Sequence, residues 1–252
     1  MNQPKVSVCM PVKNQSVWMK ESIVSVLEQK MGDWELLILD DGSDPEHDIK
    51  GIVEFYNDKR IKFYKWDENK GIPHGMNFLY KEAKGEYLCM LAADEVLWDG
   101  KFELQSKYLD EHPGVSAVWG LPGRWRTKST EGPMGQRPDW EQYTLAAYNR
   151  SNSAWVRTLI NGPDLPLGGC GSMIRTKVIL ELGGMDPRLK VFSDHELYCR
   201  FFEQGYVGVI IPYLVARDKE PTPECVRASL TTQQVTEEFE YVQEKHPVLP
   251  PP

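Results

Sequence analysis

The sequence lacks long hydrophobic runs, an excess of positive charge and closely spaced cysteine pairs. No stretch approaches the about 18 apolar residues of a membrane-spanning helix, so we expect no transmembrane segment. Lys and Arg total 29 against 37 Asp and Glu, and this net charge of −8 argues against nucleic acid as a partner. The five cysteines stand far apart without a C-x-x-C pair, which indicates reduced thiols in a cytoplasmic protein.

Length and composition are those of an ordinary globular protein. A chain of 252 residues fits one large domain or two small ones and can bury a substantial core. Hydrophobic residues make up 41% and charged residues 26%, which excludes the disordered class. Residues 1–4 lead directly into a strand-like run and lack the positively charged region and apolar segment that make up a signal peptide. The sequence therefore predicts no signal peptide.

Residues 1–100 alternate between short apolar runs and stretches in which apolar residues have helical spacing. Uniformly apolar strands joined by helices predict a parallel sheet that is covered on both faces. The predicted order is strand, helix, strand, helix, strand, helix, strand. The strands span residues 6–12, 35–39, 61–66 and 87–91, and the helices span residues 16–31, 49–56 and 74–83.

The regular pattern breaks after a further predicted strand over residues 115–119. Residues 120–171 hold many glycines and prolines, several arginines and the tryptophans Trp125, Trp140 and Trp155. A loop-rich stretch of this length inside a compact domain usually carries function, as a lid or a binding loop. Beyond it, the sequence predicts strands over residues 172–174 and 207–211 and helices over residues 176–182, 193–204 and 231–245.

Polar side chains gather where three of the predicted strands end. Lys13 and Asn14 follow the first strand, Asp40 and Asp41 end the second, and Asp94 follows the fourth. Ligands of parallel α/β sheets bind outside the carboxyl ends of the strands, so these side chains predict a binding site. The plainer interpretation of the Asp-Asp-Gly-Ser segment is a tight turn, because Asp-Gly is a common turn dipeptide.

Together these segments resemble the family 2 glycosyltransferases of the GT-A fold. The resemblance rests on short motifs that follow one another in the family's order between residues 6 and 212. Each motif alone is unspecific, whereas the ordered set is specific. The motifs are P-V-K-N at residues 11–14, D-D-G-S at 40–43, N-K-G-I-P-H-G-M-N at 69–77, L-A-A-D-E at 91–95, G-G-M-D at 183–186 and S-D-H-E-L-Y-C-R at 193–200.

The resemblance implies an α/β fold with a single GT-A-type domain. This is a Rossmann-like three-layer α/β/α sandwich with a mostly parallel central sheet and a loop-rich segment on the acceptor side. Residues 1–230 then form the transferase domain, with a nucleotide-binding half in residues 1–100 and an acceptor and catalytic half in residues 101–230. Residues 231–252 follow as a C-terminal helix and a proline-rich tail.

The resemblance also implies a reaction, the inverting transfer of a sugar from a nucleotide-diphosphate sugar, most often a UDP-sugar, to a hydroxyl group. The leaving diphosphate needs positive charge from a metal or from Lys and Arg, and the attacking hydroxyl needs a nearby carboxylate. The implied acceptor is a glycan, a lipid-linked molecule or a protein in surface polysaccharide or glycoconjugate synthesis. We expect the protein in the cytoplasm or peripheral to the cytosolic face of a membrane, and a homodimer is compatible with this class.

Carried over residue by residue, the resemblance makes Asp194 the catalytic base and Asp41 the acceptor of a hydrogen bond from the nucleobase. Asp94 matches the usual ligand of a divalent cation, Mn²⁺ or Mg²⁺. The plain alternative for Asp194 is an ordinary helix-start residue, where Asp is common. Trp125 and Trp155 are candidates for stacking on the acceptor sugar, although tryptophans in loops are also ordinary packing residues. The other residues expected to bind the nucleotide sugar are Pro11, Asn14, Asn69, Gly71, Asn77, Ala93, Asp94 and Lys219.

Three positions depart from the family pattern. Ala92 stands where the first Asp of the metal segment is usual, Ser193 replaces the Glu before the base, and Lys219 replaces a His that can bind metal. Ala92 and Lys219 together predict a weakened dependence on metal, with Lys219 or Arg217 helping to neutralise the diphosphate. The alternative is that Asp94 and the substrate phosphates suffice, because a hard cation often takes only one or two protein carboxylates.

Two other functions stay open at this point. The missing Asp at Ala92 favours a nucleotide-sugar-binding protein of the same fold that has lost catalysis. A nucleotidyltransferase has a similar three-layer sheet, but it usually needs a glycine-rich phosphate loop after the first strand, which residues 11–16 lack. A dinucleotide-dependent oxidoreductase is disfavoured, because no G-x-G-x-x-G motif follows the first strand.

Overall fold

The structure, a computed structural model, describes residues 3–124, 167–218 and 230–247. In these ranges the strands are β1 Val6–Val12, β2 Trp34–Asp41, β3 Ile61–Trp66, β4 Tyr87–Met90, β5 Glu95–Leu97, β6 Ala117–Arg124, β7 Ser172–Arg175 and β8 Gly208–Asp218. The α-helices are α1 Met19–Leu27, α2 Ile49–Tyr56, α3 Ile72–Glu82, α4 Lys101–Glu111, α5 Thr176–Glu181, α6 Ser193–Glu203 and α7 Thr232–Lys245. A 3₁₀ turn over Gly169–Gly171 precedes β7.

One mixed sheet of eight strands, in the order β3-β2-β1-β4-β7-β6-β8-β5, runs through the described part of the chain. The four strands β3, β2, β1 and β4 are parallel to one another. β7 is antiparallel to both of its neighbours, β6 and β8 pair in parallel, and the short β5 is antiparallel to β8. The expectation of a mostly parallel central sheet is thus confirmed.

The sheet is covered by helices on both faces, and β2 shows how the sequence achieves this. Leu37 and Leu39 pack into one apolar cluster with residues of α3, α5, α6 and α7. Leu36 and Ile38 pack into another with residues of α1, α2 and α4. Because successive strand residues point to opposite faces, a strand between two helical layers needs apolar residues on both of its faces. This is why the strand sequence shows no polar alternation.

The strand order creates a crevice between β1 and β4. From β1 the chain moves outward through β2 to β3, and it then returns to place β4 on the other side of β1. Where the order reverses in this way, the connecting segments leave the sheet in opposite directions and open a space outside the carboxyl ends of the strands. The P-V-K-N, D-D-G-S and L-A-A-D-E motifs all lie at this edge.

Helix α4 was not predicted from the sequence, and the residues on its buried face explain why. Lys101, Gln105 and Ser106 are buried there beside Phe102 and Leu109, so the apolar spacing of a surface helix is absent. The buried polar groups bind one another and the neighbouring main chain. The Nζ of Lys101 donates to Oε1 of Gln105 at 2.5 Å, and Nε2 of Gln105 donates to the carbonyl of Gly171 at 2.8 Å.

Candidate active site

The cleft outside the carboxyl ends of β1, β2 and β4 has a volume of about 900 Å³. Residues from every motif of the expected site line it, including Pro11, Asn14, Asn69, Gly71, Asp41, Asp94 and Asp194. A second groove, of about 1050 Å³, lies at the amino ends of the strands, and none of the expected site residues lines it. The first cleft is therefore the candidate active site.

Asp41 joins the turn after β2 to the loop before α3. Its Oδ1 accepts the main-chain N–H of Lys70 at 2.7 Å, and its Oδ2 accepts that of Gly71 at 2.8 Å. The next residue, Gly42, has φ +68°, and a Cβ there would lie 2.5 Å from the main-chain nitrogen of Asn69. Only glycine allows this approach. An ionised carboxylate has about four acceptor positions, so Asp41 can still accept a hydrogen bond from a ligand.

Asn14 connects the first motif to the same turn. Its side-chain Nδ2 donates to Oδ2 of Asp44 at 2.6 Å, and its Oδ1 accepts the main-chain N–H of Asp44 at 2.9 Å. Its own main-chain N–H donates to Oγ of Ser43 at 3.0 Å. Asn14 holds φ +57°, a left-handed conformation that Asn tolerates better than most residues. The side chain thus shapes the rim of the cleft.

Two of the expected binding residues turn away from the cleft. The side-chain amide of Asn77 makes two hydrogen bonds with the main chain of Met185, and Asn77 is not among the residues that line the cleft. The side chain of Ala93 is buried, and its carbonyl accepts Oγ of Ser22 at 2.7 Å. From α3, Pro73 and Met76 line the cleft instead.

The segment after β4 places Asp94 in the cleft beside Ala92 and Glu95. The carboxylate of Glu95 accepts the main-chain N–H of Ala92 at 2.9 Å, which folds this side chain back onto its own turn. Over residues 3–124, 167–218 and 230–247, no three His, Cys, Asp or Glu side chains are grouped closely enough to hold a metal ion. A cation here would depend on Asp94 and on oxygen atoms of the substrate.

Asp194 lies in the first turn of α6, half-buried, and lines the cleft. The N-cap residue of α6 is Phe192, which has no capping side chain, so Asp194 is not the helix cap. Its Oδ1 accepts the main-chain N–H of His195 at 2.8 Å, and Nδ1 of His195 lies 3.4 Å from the same atom.

Behind Asp194, Glu196 is fully buried in a group of cations. Burial opposes its charge, but His246, with its Nε2 3.4 Å away, and the close contacts from Arg200 and Lys245 outweigh burial and lower the pKa of Glu196 to about 2. Arg200 binds both carboxylate oxygens of Glu196 and also donates to the carbonyls of Leu182 and Gly184. Arg200 is thereby engaged in holding the turn before α6.

Several expected residues lie outside the part of the chain described by the structure. These are Lys219 and the two candidates for acceptor stacking, Trp125 and Trp155, together with Trp140. The structure adds residues that the sequence did not single out. Met90, Leu189 and Val191 line the cleft, and the sequence gives no signal for them because they belong to apolar or irregular stretches.

The model of glycosyl transferase family 2 matches residues 7–178, and the chain belongs to this family. An uncharacterized glycosyltransferase of Rickettsia typhi is 27% identical over 81% of this chain and 60% of its own length. The Escherichia coli enzyme WfgD, a UDP-Glc:α-D-GlcNAc-diphosphoundecaprenol β-1,3-glucosyltransferase, is 35% identical over 42% of this chain and 41% of its own length. The chain therefore spans less than two thirds of each of these relatives.

Solved structures support the fold. The structure of Staphylococcus aureus TarS 1–349 in complex with UDP-GlcNAc superposes with a TM-score of 0.73 at 17% identity, covering 96% of this chain and 65% of that one. Mannosyltransferase PcManGT from Pyrobaculum calidifontis, in complex with GDP-Man and Mn²⁺, superposes with a TM-score of 0.70 at 18% identity, covering 97% and 65%. Within the described ranges, every helix is too short or too polar to cross a bilayer.

Proposed function

We propose that this chain transfers a sugar from a UDP-sugar to a hydroxyl group, with inversion at the anomeric carbon. One observation carries the proposal. Asp41, the expected nucleoside contact, and Asp194, the expected base, line a single cleft although they lie in different halves of the sequence. Membership of family 2 supports the same reaction.

The nucleotide half of the donor would lie along the turn and loop that Asp41 joins. Its carboxylate is 4% exposed and fixed by two main-chain N–H groups, so it offers a rigid acceptor to the N–H of a uracil. The relative WfgD is named for UDP-Glc, and the TarS structure contains UDP-GlcNAc. These two relatives favour uridine over other bases for this chain.

Asp194 would act on the acceptor. Its carboxylate takes the proton of the attacking hydroxyl, the hydroxyl oxygen forms a bond to the anomeric carbon, and the bond from that carbon to the diphosphate oxygen breaks. The nucleoside diphosphate leaves with the electron pair of that bond. Attack from the face opposite the leaving group inverts the anomeric configuration.

A divalent cation fits this site in part. Asp94 would hold it, and the remaining ligands would be phosphate oxygens and water, an arrangement that Mg²⁺ commonly adopts. When bound, the cation neutralises charge on the departing diphosphate. Since Ala92 removes a second carboxylate, we propose that the dependence on metal is weaker than in relatives such as PcManGT, whose structure contains Mn²⁺.

The wider role follows from the reaction. We propose that residues 1–230 form the transferase domain, because the cleft draws Asp41 and Asp94 from residues 1–100 and Asp194 from residues 101–230. The acceptor would be a glycan or a lipid-linked molecule in the synthesis of a surface polysaccharide or glycoconjugate. The WfgD relative, which is named for a GlcNAc-diphosphoundecaprenol acceptor, favours this over a protein acceptor.

The test combines binding and turnover. UDP, UDP-Glc, UDP-GlcNAc and GDP-Man are added at millimolar concentration, and the melting temperature is measured, since a ligand of the native state must raise it. Asp194→Asn should bind UDP as the wild type does and lose transfer by about 100- to 10,000-fold, the usual contribution of a general base.

The matched control is Asp99→Asn, which makes the same change at an exposed carboxylate paired with Lys30. This variant should retain both binding and transfer. If no nucleotide shifts the melting temperature, the proposed function is wrong. Binding of UDP without any transfer, unchanged in Asp194→Asn, would instead identify a binding protein that has lost catalysis.

A further inference from the structure

We propose that Glu238, on the C-terminal helix α7, is a positioning residue for Asp194. The inference rests on the proposed function. Oε2 of Glu238 accepts the main-chain N–H of Val191 at 2.8 Å and that of Lys190 at 3.0 Å, and it lies 3.4 Å from that of Phe192. Three successive main-chain N–H groups that converge on one carboxylate form an anion-binding concavity, and the anion here is a side chain of the same protein.

The bound segment has no other regular support. Residues 187–192 form an irregular stretch between the Gly-Gly-Met-Asp turn and α6, outside the sheet and its hydrogen-bond ladder. Main-chain N–H groups in a folded chain are nearly always paired, and for Lys190, Val191 and Phe192 the partner is Glu238. Lys190 and Val191 themselves line the cleft. Their position there is therefore set from α7.

The support continues across Asp194. Phe192 is the N-cap residue of α6, and its carbonyl accepts the main-chain N–H of Glu196 at 3.0 Å. Asp194 lies between these two residues, so the main chain is fixed on both sides of it. The ring of Phe192 also packs on that of Phe239, the neighbour of Glu238 on α7, with centroids 5.2 Å apart.

The C-terminal end of α7 contacts helix α6 as well. Nζ of Lys245 lies 2.5 Å from the buried carboxylate of Glu196 and 3.0 Å from that of Asp186. Helix α7 thus binds the chain before Asp194 through Glu238 and the chain after it through Lys245. A general base must stay within hydrogen-bond reach of the hydroxyl, and a displacement of about 1 Å can cost 100-fold in rate.

The experiment compares Glu238→Ala and Glu238→Gln with the same changes at Glu237. Glu237 is the exposed neighbour on α7 and accepts a hydrogen bond only from its helical neighbour Gln233 at 2.8 Å among the contacts described. Glutamine at 238 keeps the length and one acceptor oxygen but loses the charge. All assays run well below the melting temperature of each variant, so that only folded protein is compared.

We expect kcat to fall about 10- to 100-fold in Glu238→Ala and by a smaller factor in Glu238→Gln. The Kd for UDP should stay within twofold of the wild type, because the nucleotide contacts lie on the other side of the cleft. Hydrogen exchange should speed up at the amides of residues 190–192 and stay unchanged in β1. Both Glu237 variants should match the wild type in every measurement.

The outcomes separate this inference from the proposed function. If the wild type transfers sugar and folded Glu238→Ala has the same kcat, the inference is wrong and the proposed function stands. An equal loss of UDP affinity and kcat also overturns it, because a general loosening of the fold would then explain the effect. A wild type that transfers no sugar overturns the proposed function and the inference together. In that case, faster hydrogen exchange at residues 190–192 in Glu238→Ala would still show the structural contact, without its catalytic consequence.

Discussion

The side-chain amide of Asn77 is paired with the main chain of Met185, 108 residues later in the chain. Its Oδ1 accepts the N–H of Met185 at 2.7 Å, and its Nδ2 donates to the carbonyl of Met185 at 2.8 Å. The two bonds tie α3, beside the nucleotide side of the cleft, to the Gly-Gly-Met-Asp turn that leads to Asp194. Asn77 therefore joins the two halves of the proposed site without lining the cleft.

Asn77→Ala should lower stability and leave nucleotide binding intact. The change strips two partners from the main chain of Met185, and an unpaired, partly buried polar group costs about 1–3 kcal/mol. For a chain of this size each kcal/mol lowers the melting temperature by about 2–4 °C. Calorimetry and UDP titration below the melting temperature check both parts. A tenfold loss of UDP affinity would show a direct contact with the nucleotide instead.

Gly184→Ala should be far more damaging than Gly183→Ala. Both glycines have positive φ, +77° and +79°, so an alanine at either position is strained by about 1–3 kcal/mol. A Cβ at Gly184 would also lie 2.2 Å from Oδ1 of Asn77, whereas nothing lies within 4 Å of a Cβ at Gly183. The comparison isolates the contact from the strain. Equal melting temperatures of the two variants would contradict this packing.

Asp41→Asn should weaken UDP binding by about 10- to 100-fold. The carboxylate of Asp41 accepts the main-chain N–H groups of Lys70 and Gly71, whereas the amide of Asn has only one acceptor oxygen and turns an NH₂ group toward the other N–H. One charge-assisted hydrogen bond, worth about 1.5–3 kcal/mol, is thereby lost. Asp67→Asn, at an exposed carboxylate three residues before Lys70, is the control and should bind normally. Isothermal titration measures both, and an unchanged Kd in Asp41→Asn would refute the proposed nucleoside contact.

Mn²⁺ should raise UDP affinity less than tenfold, and Asp94→Asn should remove that gain. Asp94 lines the cleft, but Ala92 stands where the family's metal segment usually has a second Asp. The protein therefore supplies few ligands to a cation beyond those of the substrate phosphates. Titrations with and without Mn²⁺ measure the effect, with Asp99→Asn as a control that keeps the gain. An increase above tenfold that Asp94→Asn abolishes would show an undiminished dependence on metal.

His246 should stabilise the fold in mildly acidic solution. Burial disfavours its charge, but the carboxylate of Glu196, 3.4 Å from its Nε2, and the hydrogen bond with Glu203 outweigh burial and raise the pKa of His246 above its usual 6.5, even with Lys245 adjacent. A raised pKa gives stability that is complete below about pH 6.5 and is lost as the pH rises through the folded-state value.

The measurement is the free energy of unfolding of the wild type and His246→Gln between pH 5.5 and 9. The wild type should be the more stable protein at the acidic end, and the difference should shrink as the pH rises. His74→Gln, at an exposed histidine on α3, should show no such trend. A difference between wild type and His246→Gln that grows with pH would reverse the sign expected from these contacts.

The order of most strands and helices was predictable, because these elements carry their own local pattern. β3 spans Ile61–Trp66 as expected, and β1 spans Val6–Val12 as expected. Helix α4 was not predictable, because Lys101 and Gln105 on its buried face donate to the carbonyls of Ser172 and Gly171, 71 and 66 residues further along the chain. A lysine in a sequence carries no sign that its ammonium group will be buried.

The candidate site also contains residues that could be predicted from the sequence and residues that could not. The motifs predicted that Asp41, Asp94 and Asp194 would share one cleft, and the structure places all three along it. The motifs did not distinguish these three residues from Asn77, which belongs to the same ordered set of motifs but binds Met185. Nor did any pattern mark Glu238, because its three donors are main-chain N–H groups, which every residue except proline possesses.

The sequence by itself thus determined the α/β class, the order of most elements and the edge of the sheet where polar residues collect, because strand and helix periodicity act over a few residues. Only the tertiary structure decided which of those polar groups face the cleft and which bind another part of the chain. A carboxylate or an amide satisfies its hydrogen bonds equally well with a ligand or with a distant main chain. The packing of α3 and α7 against the turn and loop before Asp194 determines which polar groups bind the main chain.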